Sequence, residues 1–229
     1  QWAHTYDISK EDLRSVVVTF ASVFPDGTMW LVGDGVLLLV GSASPLDKRL
    51  SNVGAGWKLP EVASDLQQVG LRNPFGLFSL YVGGGEELRQ FGGQAAPQRD
   101  SRMALEFTGP RAINATDAAG NAAELRTLAG NAIKPAAVAA ALSSATARDW
   151  RDRAAMQMTA SSYDEAYRDY QRALELDRTD TDTWLGFVRA AVASRHDQDA
   201  MAWLQAKTAA DPLDVKARVA LSKLQAATG

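Results

Sequence analysis

The spacing of apolar residues predicts one amphipathic helix near the start of the chain. Ser9, followed three residues later by Asp12, forms the pattern of a capping box that begins such a helix. Pro25 ends the helical pattern, because proline cannot continue a helix. The apolar residues between these limits recur at helical spacing: Leu13, Val16, Val17, Phe20 and Val23.

A change in the residue pattern after Pro25, from helical spacing to short β-rich runs, predicts a β-hairpin. Thr28–Val32 and Val36–Val40 are short β-rich runs on either side of Gly33-Asp34-Gly35, whose glycines can take positive φ. The second run is apolar at every position. A strand of that kind is typical of a sheet that is covered on both faces, so we expect helices on each side.

Short helical patterns interrupted by Gly and Pro fill the middle of the chain. They predict helices over 60–69, 74–82 and 86–91, and an extended segment over 102–107. Two alanine-rich helices are predicted over 121–129 and 135–143, and their composition favours close packing rather than a mobile linker.

The last third of the chain repeats with a period of 34 residues. Trp150 recurs as Trp184, and Glu165-Ala166 recurs as Asp199-Ala200. This period and spacing are typical of the tetratricopeptide helix-turn-helix, which binds partners rather than performing chemistry. In this register both tryptophans take the fourth position of a first helix and are predicted to pack in the core. Two repeats and a final helix over 213–227 form a short array.

The repeat register also predicts a binding groove. First helices line the concave face of tetratricopeptide arrays, and arginines on such a face can bind a carboxylate bidentately. The alternative is that these arginines are solvated surface charges. In the first helix the predicted groove positions are Arg148, Arg151, Ala155, Met158 and Thr159. In the second they are Asp182, Leu185, Arg189, Val192 and Ala193.

Composition excludes several functional classes. The 229 residues are 46% hydrophobic and 22% charged, as in a soluble protein with one large or two small domains. The net charge is −3 and the two signs are interleaved, which argues against nucleic-acid binding. The chain has no cysteine and therefore no disulfide, thiolate nucleophile or cysteine zinc site. Its apolar runs are too short to cross a bilayer.

The remaining polar motifs favour structural roles over catalysis. Gly83-Gly84-Gly85 before two glutamates resembles a phosphate loop, but it follows a predicted helix, so we interpret it as a helix-helix turn. The two histidines, His4 and His196, have no cysteine partners, and we expect His196 to be a solvated turn residue. We predict no catalytic residue and no metal ligand.

Several short motifs follow one another in order across residues 1–112. They are Gln1-Trp2, Phe24-Pro25, Met29-Trp30, Leu37-Leu38-Leu39-Val40-Gly41-Ser42 and Asp100-Ser101-Arg102-Met103-Ala104-Leu105-Glu106-Phe107. The last is similar to an Asp-Asp-Arg-Pro-x-x-Glu-Phe stretch. In this order the motifs resemble the C-terminal half of spermidine synthase-like proteins. The resemblance is to the bacterial branch in which that domain follows membrane helices and sometimes precedes tetratricopeptide repeats.

The resemblance implies a Rossmann-like aminopropyltransferase fold that binds decarboxylated S-adenosylmethionine and a polyamine. Its nucleotide loop and catalytic aspartate would lie upstream of Gln1, so no cofactor is expected within this chain. The chain would supply the final helices, an antiparallel strand pair and one wall of the polyamine site, with Gln1 and Trp2 as substrate-binding residues. The segment 31–35 departs from the Pro-Thr-Tyr-Pro-Ser-Gly-like sequence of the family.

These observations lead to one expected architecture. We expect an α+β unit with a small antiparallel sheet and flanking helices over 1–112, alanine-rich bridging helices over 113–146, and a tetratricopeptide-like helical unit over 147–229. The fold would be predominantly helical overall. Gln1 rather than Met begins the chain, so we interpret the chain as part of a longer polypeptide.

Two functional hypotheses follow, from different classes. The first is a non-catalytic segment whose repeat recruits a protein or peptide partner or forms a homo-oligomer. The alternative is part of an active aminopropyltransferase whose catalytic half lies upstream. A freestanding scaffold unrelated to synthases is a third class. We expect a cytoplasmic location without membrane contact by this segment, and the resemblance implies a longer protein anchored in the inner membrane.

Overall fold

The computed structural model describes residues 1–44, 46–99, 104–112 and 118–228. It divides into two compact units, Gln1–Ser143 and Ser144–Gly229. Helices dominate both units, as predicted. In the described ranges, no helix is long and apolar enough to cross a membrane.

An antiparallel sheet lies at the centre of the first unit. Its four described strands have the order β1-β3-β2-β4, with every neighbouring pair antiparallel. The predicted hairpin is confirmed as β2 and β3. The two outer strands were not predicted, because runs of three residues are too short to show a β pattern. The strands are β1 (Trp2–His4), β2 (Thr28–Val32), β3 (Val36–Val40) and β4 (Tyr81–Gly83).

Nine described helices surround this sheet. They are α1 (Lys10–Val23), α2 (Asp47–Ser51), α3 (Val53–Gly56), α4 (Pro60–Gln68), α5 (Pro74–Phe78), α6 (Gly85–Gly92), α7 (Ala104–Ala112), α8 (Ala118–Asn131) and α9 (Ala136–Ser143). The alanine-rich helices α8 and α9 belong to this first unit, where Leu125 and Val138 are fully buried.

Two sequence predictions for the first unit are wrong. The helix predicted over 74–82 ends at Phe78, because Tyr81 and its neighbours pair with β2 instead. The extended segment predicted over 102–107 is helical from Ala104, where α7 begins. Residues 102–103 of that segment, and 113–117 of the predicted bridging segment, lie outside the described residues.

The helix α1 forms as the sequence predicts. The Oγ atom of Ser9 accepts a hydrogen bond from the backbone N–H of Asp12 at 3.1 Å, which satisfies one free donor of the first turn. The Asp12 carboxylate in turn accepts a hydrogen bond from Thr108 at 2.8 Å and links α1 to α7. Leu13 and Val17 are fully buried against the sheet.

The two faces of the sheet are covered unequally. One face packs against α1, α6 and α8 and buries Leu37 and Leu39 of β3 completely or almost so. On the other face Trp30 packs with residues of α2, α5 and α9, but Leu38 beside it remains 37% exposed. The prediction of a strand covered on both faces therefore holds for only part of β3. Trp2, which pairs with Leu38, is 63% exposed.

The second unit consists of antiparallel helix pairs. Helix α12 contacts α10, α11, α13 and α14, so it lies in the middle of the array. The last of its five described helices stands where a third repeat would begin. The helices are α10 (Ala147–Thr159), α11 (Tyr163–Leu176), α12 (Thr181–Ala193), α13 (Asp197–Ala210) and α14 (Val215–Thr228).

The repeat core is aromatic and alanine-rich. Trp184 is 2% exposed and its indole N–H donates to the Arg178 carbonyl at 2.9 Å, so its predicted core position is confirmed. Trp150, predicted to be equivalent, is only half-buried. Gly186 lies directly against the ring of Tyr170 from α11, and a methyl group there would lie 2.7 Å from the phenol oxygen.

Candidate protein-binding surface

Helix α12 exposes one narrow stripe of side chains. Its other faces are buried by the neighbouring helices, and they include Trp184, Gly186 and Phe187. The side chains outside this buried surface recur at three- and four-residue spacing, which places them on one face of the helix. Apart from Thr181 at the helix start, they are Asp182, Leu185, Arg189, Val192 and Ala193, the positions that the repeat register predicted.

Equivalent positions on α10 and α14 complete this surface. On α10 they are Arg148, Arg151, Ala155, Met158 and Thr159. On α14, each 34 residues after its counterpart on α12, they are Lys216, Val219, Lys223, Ala226 and Ala227. We call these positions of α10, α12 and α14 the groove face. The α14 residues were not predicted, although the same spacing of 34 identifies them.

The predicted groove residues differ in their availability to a ligand. Arg148 and Arg189 are exposed. Leu185 is half-buried, and Met158 packs partly against the repeat core. Arg151 is also half-buried, and its guanidinium is engaged within the array. The five predicted residues thus lie on α10 and α12 with different exposure, and their role in partner binding stays a prediction.

Arg151 joins the first two repeats. Its Nη2 lies 2.8 Å from Oδ1 of Asp152, and its Nη1 lies 3.1 Å from Oδ2 of Asp180, the N-cap of α12. The hydrogen bond to Asp152 raises the pKa of Arg151, against the opposing effect of burial. The pKa of Asp180 is lowered, first by a hydrogen bond from Thr183 and also by Arg151. Arg151 therefore stabilises the array.

Tyr170 extends from α11 to the charges of the groove face. Its ring is 5% exposed, and burial raises the pKa of its phenol. Arg189 and Arg151 lower this pKa through their positive charge, while Asp152 and Asp182 raise it. These charges come from α10 and α12, so the ring lies where the two first helices meet.

The groove face is electrostatically distinct from the rest of the repeat unit. Residues 144–229 contain twelve Lys and Arg against thirteen Asp and Glu. The groove face carries five basic residues and one acidic residue, Asp182. Among the described residues, neither Arg189 nor Lys223 has a carboxylate oxygen within ion-pair distance. The positive charge is therefore concentrated on one face of a nearly neutral unit.

A buried ion pair lies between α10 and α11. Arg153 Nη1 is 2.8 Å from Asp169 Oδ1, and Arg153 Nη2 is 3.8 Å from Glu165. Burial raises the pKa of Asp169 to about 7, although the charge of Arg153 opposes this shift. The Arg153 guanidinium also lies 5.7 Å from the Trp150 ring centre. This pair fixes the packing of the first repeat.

His196 lies in the predicted turn, as the N-cap of α13, and its side chain is 33% exposed, but its ring also links the two repeats. Its Nε2 is 2.8 Å from Asp164 Oδ1 and its Nδ1 is 3.5 Å from Asp199 Oδ2. Its ring stacks on Tyr167 at 5.0 Å. This contact was not predicted, because His196 and Asp164 are far apart along the chain. Within the described ranges, no group of three or more His, Asp or Glu side chains could hold a metal ion.

The glycine-rich loop caps a helix. It follows strand β4, so the prediction of a preceding helix is wrong. The N–H of Gly84, the N-cap of α6, donates to Glu87 Oε2 at 2.8 Å. A carboxylate of the protein itself therefore occupies the place that an anion would take.

Gln1 and Trp2 lie in the first unit, where Trp2 begins the edge strand β1 and Gln1 precedes it. The N–H of Leu39 donates to the Gln1 carbonyl at 2.7 Å, and the Gln1 side chain donates to the Trp2 carbonyl at 2.8 Å. The Trp2 ring meets His4 edge-on at 5.7 Å. The structure thus places both residues at the start of the edge strand, and their role in substrate binding stays a prediction.

The helix pairs of the second unit define a helical repeat. The family model described as "Tetratricopeptide repeat" matches residues 157–227, from the end of α10 to α14. The predicted repeat is thereby confirmed. No curated protein matches the chain, and no solved structure does.

Proposed function

We propose that the helical-repeat unit mediates protein-protein interaction through the groove face. The exposed stripe of α12 carries this proposal. A helix buried by four neighbours has one surface left for a ligand, and here that surface continues onto α10 and α14. Tetratricopeptide arrays use extended concave surfaces of this kind to bind partners.

Steric blocking of the groove face tests this function without changing any charge. Ala155 and Ala193 are exposed on the groove face, so we would replace both with Trp. The matched control replaces Ala202 and Ala206, which are exposed on α13, with Trp. Proteins crosslinked in cells to the tagged full chain would be quantified by mass spectrometry.

A specific partner should be retained by the wild type and the α13 control and lost from the groove variant. Equal capture by all three chains would contradict binding at the groove face. A second copy of the chain is one candidate partner. It would appear in light scattering as a concentration-dependent mass that the groove variant lowers.

We propose further that residues 1–112 derive from a spermidine synthase-like protein and act without catalysing a reaction themselves. The motifs quoted for residues 1–107 support this ancestry, and the antiparallel β2–β3 pair agrees with the strand pair that the resemblance implies. The alternative is that they complete an active aminopropyltransferase. In both cases we propose a cytoplasmic location for this part of the protein.

Calorimetric titration distinguishes the two cases. This chain and the longer protein would each be titrated with decarboxylated S-adenosylmethionine, with and without putrescine. We expect no heat from this chain, because the resemblance places the nucleotide loop upstream. Binding by the longer protein would support the transferase. Absence of binding there would support a scaffold role.

A further inference from the structure

We propose that the groove face selects an extended partner segment in which acidic side chains alternate with apolar ones. This inference rests on the proposed function and adds the chemistry of the partner. The groups recognised in the partner are the carboxylates of internal Asp or Glu residues, rather than the carboxylate at the end of a chain.

The first argument is charge complementarity. Arg189 and Lys223 occupy the same repeat position on the neighbouring helices α12 and α14, 34 residues apart. Both are exposed, and in the described parts of the chain neither forms an ion pair. Arg148 adds a third exposed cation on α10, with Asp152 3.8 Å from its Nε. Only Asp182 opposes them on the groove face.

The second argument is that apolar side chains accompany these charges. Leu185 and Val219 also share one repeat position, one helical turn before Arg189 and Lys223. Val219 is 47% exposed and Val192 is 40% exposed. Apolar area next to unpaired cations favours a segment that carries both kinds of side chain, because each then finds a partner.

The third argument concerns the number and position of the charges. Packed helices lie about 8–10 Å apart, so three first helices span roughly 20 Å. An extended chain covers that distance with about six residues at ~3.3 Å each. A chain end supplies a single carboxylate, whereas the basic residues are spread over α10, α12 and α14. Several internal carboxylates match this spread better.

Fluorescence anisotropy with designed peptides tests the proposal on the full chain. The probe is a labelled peptide of alternating Glu and Leu, about six residues long and capped at both ends. Peptides with Gln or Lys in place of Glu have the same length and apolar content. A fourth peptide has Gln and Leu with a free C-terminal carboxylate, which separates recognition of a chain end from recognition of acidic side chains.

A double charge reversal locates the binding. The groove variant carries Arg189→Glu and Lys223→Glu together. The control variant carries Arg168→Glu and Arg172→Glu together, on the exposed surface of α11. The Glu peptide should bind at least about tenfold more weakly to the groove variant, since each charge-assisted hydrogen bond contributes about this factor. The control should bind within about twofold of wild type, and added salt should weaken binding. Circular dichroism checks that both variants fold.

Several results would overturn the proposal. Equal binding of the Gln peptide would show that acidic side chains are not selected. Preference for the Lys peptide or for the free chain end would contradict the partner chemistry. Unchanged binding by the groove variant would place the site elsewhere. If no peptide binds, the acidic segment is refuted, while the Trp variants at Ala155 and Ala193 still report separately on the proposed function.

Discussion

Replacing Gly186 with Ala should destabilise the repeat, although alanine is the better helix former. The change adds a methyl group that would lie 2.7 Å from the Tyr170 phenol oxygen and closer still to two ring carbons. The ring is 5% exposed and packed on all sides, so it has little room to move. Helix propensity alone would stabilise the variant by about 1 kcal/mol. Overpacking of this severity costs about 3 kcal/mol, so we expect a net loss of about 2 kcal/mol.

The following repeat provides a matched control. The residues 34 positions after Tyr170 and Gly186 are Leu204 and Ala220, and both are buried. The double variant Tyr170→Leu with Gly186→Ala therefore reproduces a pair that the chain already contains. We expect Tyr170→Leu alone to cost about 2 kcal/mol, because a buried ring is replaced by a smaller side chain.

The double variant should be more stable than the sum of the two single-variant losses predicts. Additive effects would give a loss of about 4 kcal/mol, whereas we expect about 1 kcal/mol, a coupling of about 3 kcal/mol. Guanidinium unfolding followed by circular dichroism gives the free energies of unfolding. Hydrogen exchange of the α12 amides identifies the transition that belongs to the repeat. A Gly186→Ala variant at least as stable as wild type, or strictly additive effects, would refute this reasoning.

Three further predictions concern buried polar groups. Asp169 has a folded pKa of about 7, above its unfolded value, so its contribution to stability is greatest in acid and falls as pH rises through 7. The melting temperature should therefore fall less between pH 5 and 8 in Asp169→Asn than in the wild type. Equal slopes of melting temperature against pH in the two proteins would contradict the assignment. Arg153→Met tests the ion-pair partner of Asp169 in the same way. Asn121→Ala should lower the unfolding free energy by about 2 kcal/mol, since the 1% exposed amide donates to two backbone carbonyls; a change below about 0.5 kcal/mol in chemical denaturation would argue against it. Arg151→Met should cost about 1 kcal/mol by removing partly exposed ion pairs, while leaving the affinity for the Glu peptide within about threefold; a larger loss of affinity would show that Arg151 contacts the partner.

Sequence reasoning succeeded where the signal was local and periodic. The capped helix α1 and the hairpin of β2 and β3 depend on residues that are close together along the chain, and both formed as predicted. The repeat was recognisable because each copy preserves the same spacing. That spacing also assigned five residues to the groove face, and their role in binding stays a prediction.

The failures arose where a distant contact overrides a local preference. Tyr81 lies in a segment with a helical pattern, but it pairs with Trp30 of β2, about fifty residues earlier. His196 is polar and follows a helix end, yet Asp164 and Tyr167 hold its ring between the repeats. Neither contact leaves a signal in the spacing of nearby residues.

The sequence by itself determined that this protein contains a helical repeat and which stripe of each first helix was predicted as the groove face, because both follow from a fixed period along the chain. Only the tertiary structure decided which cations of that stripe are available. Arg151 is engaged by Asp180 from the next repeat, whereas Arg189 and Lys223 lie exposed on neighbouring helices. Such pairing depends on distances between side chains that folding brings together, and a one-dimensional pattern does not contain those distances.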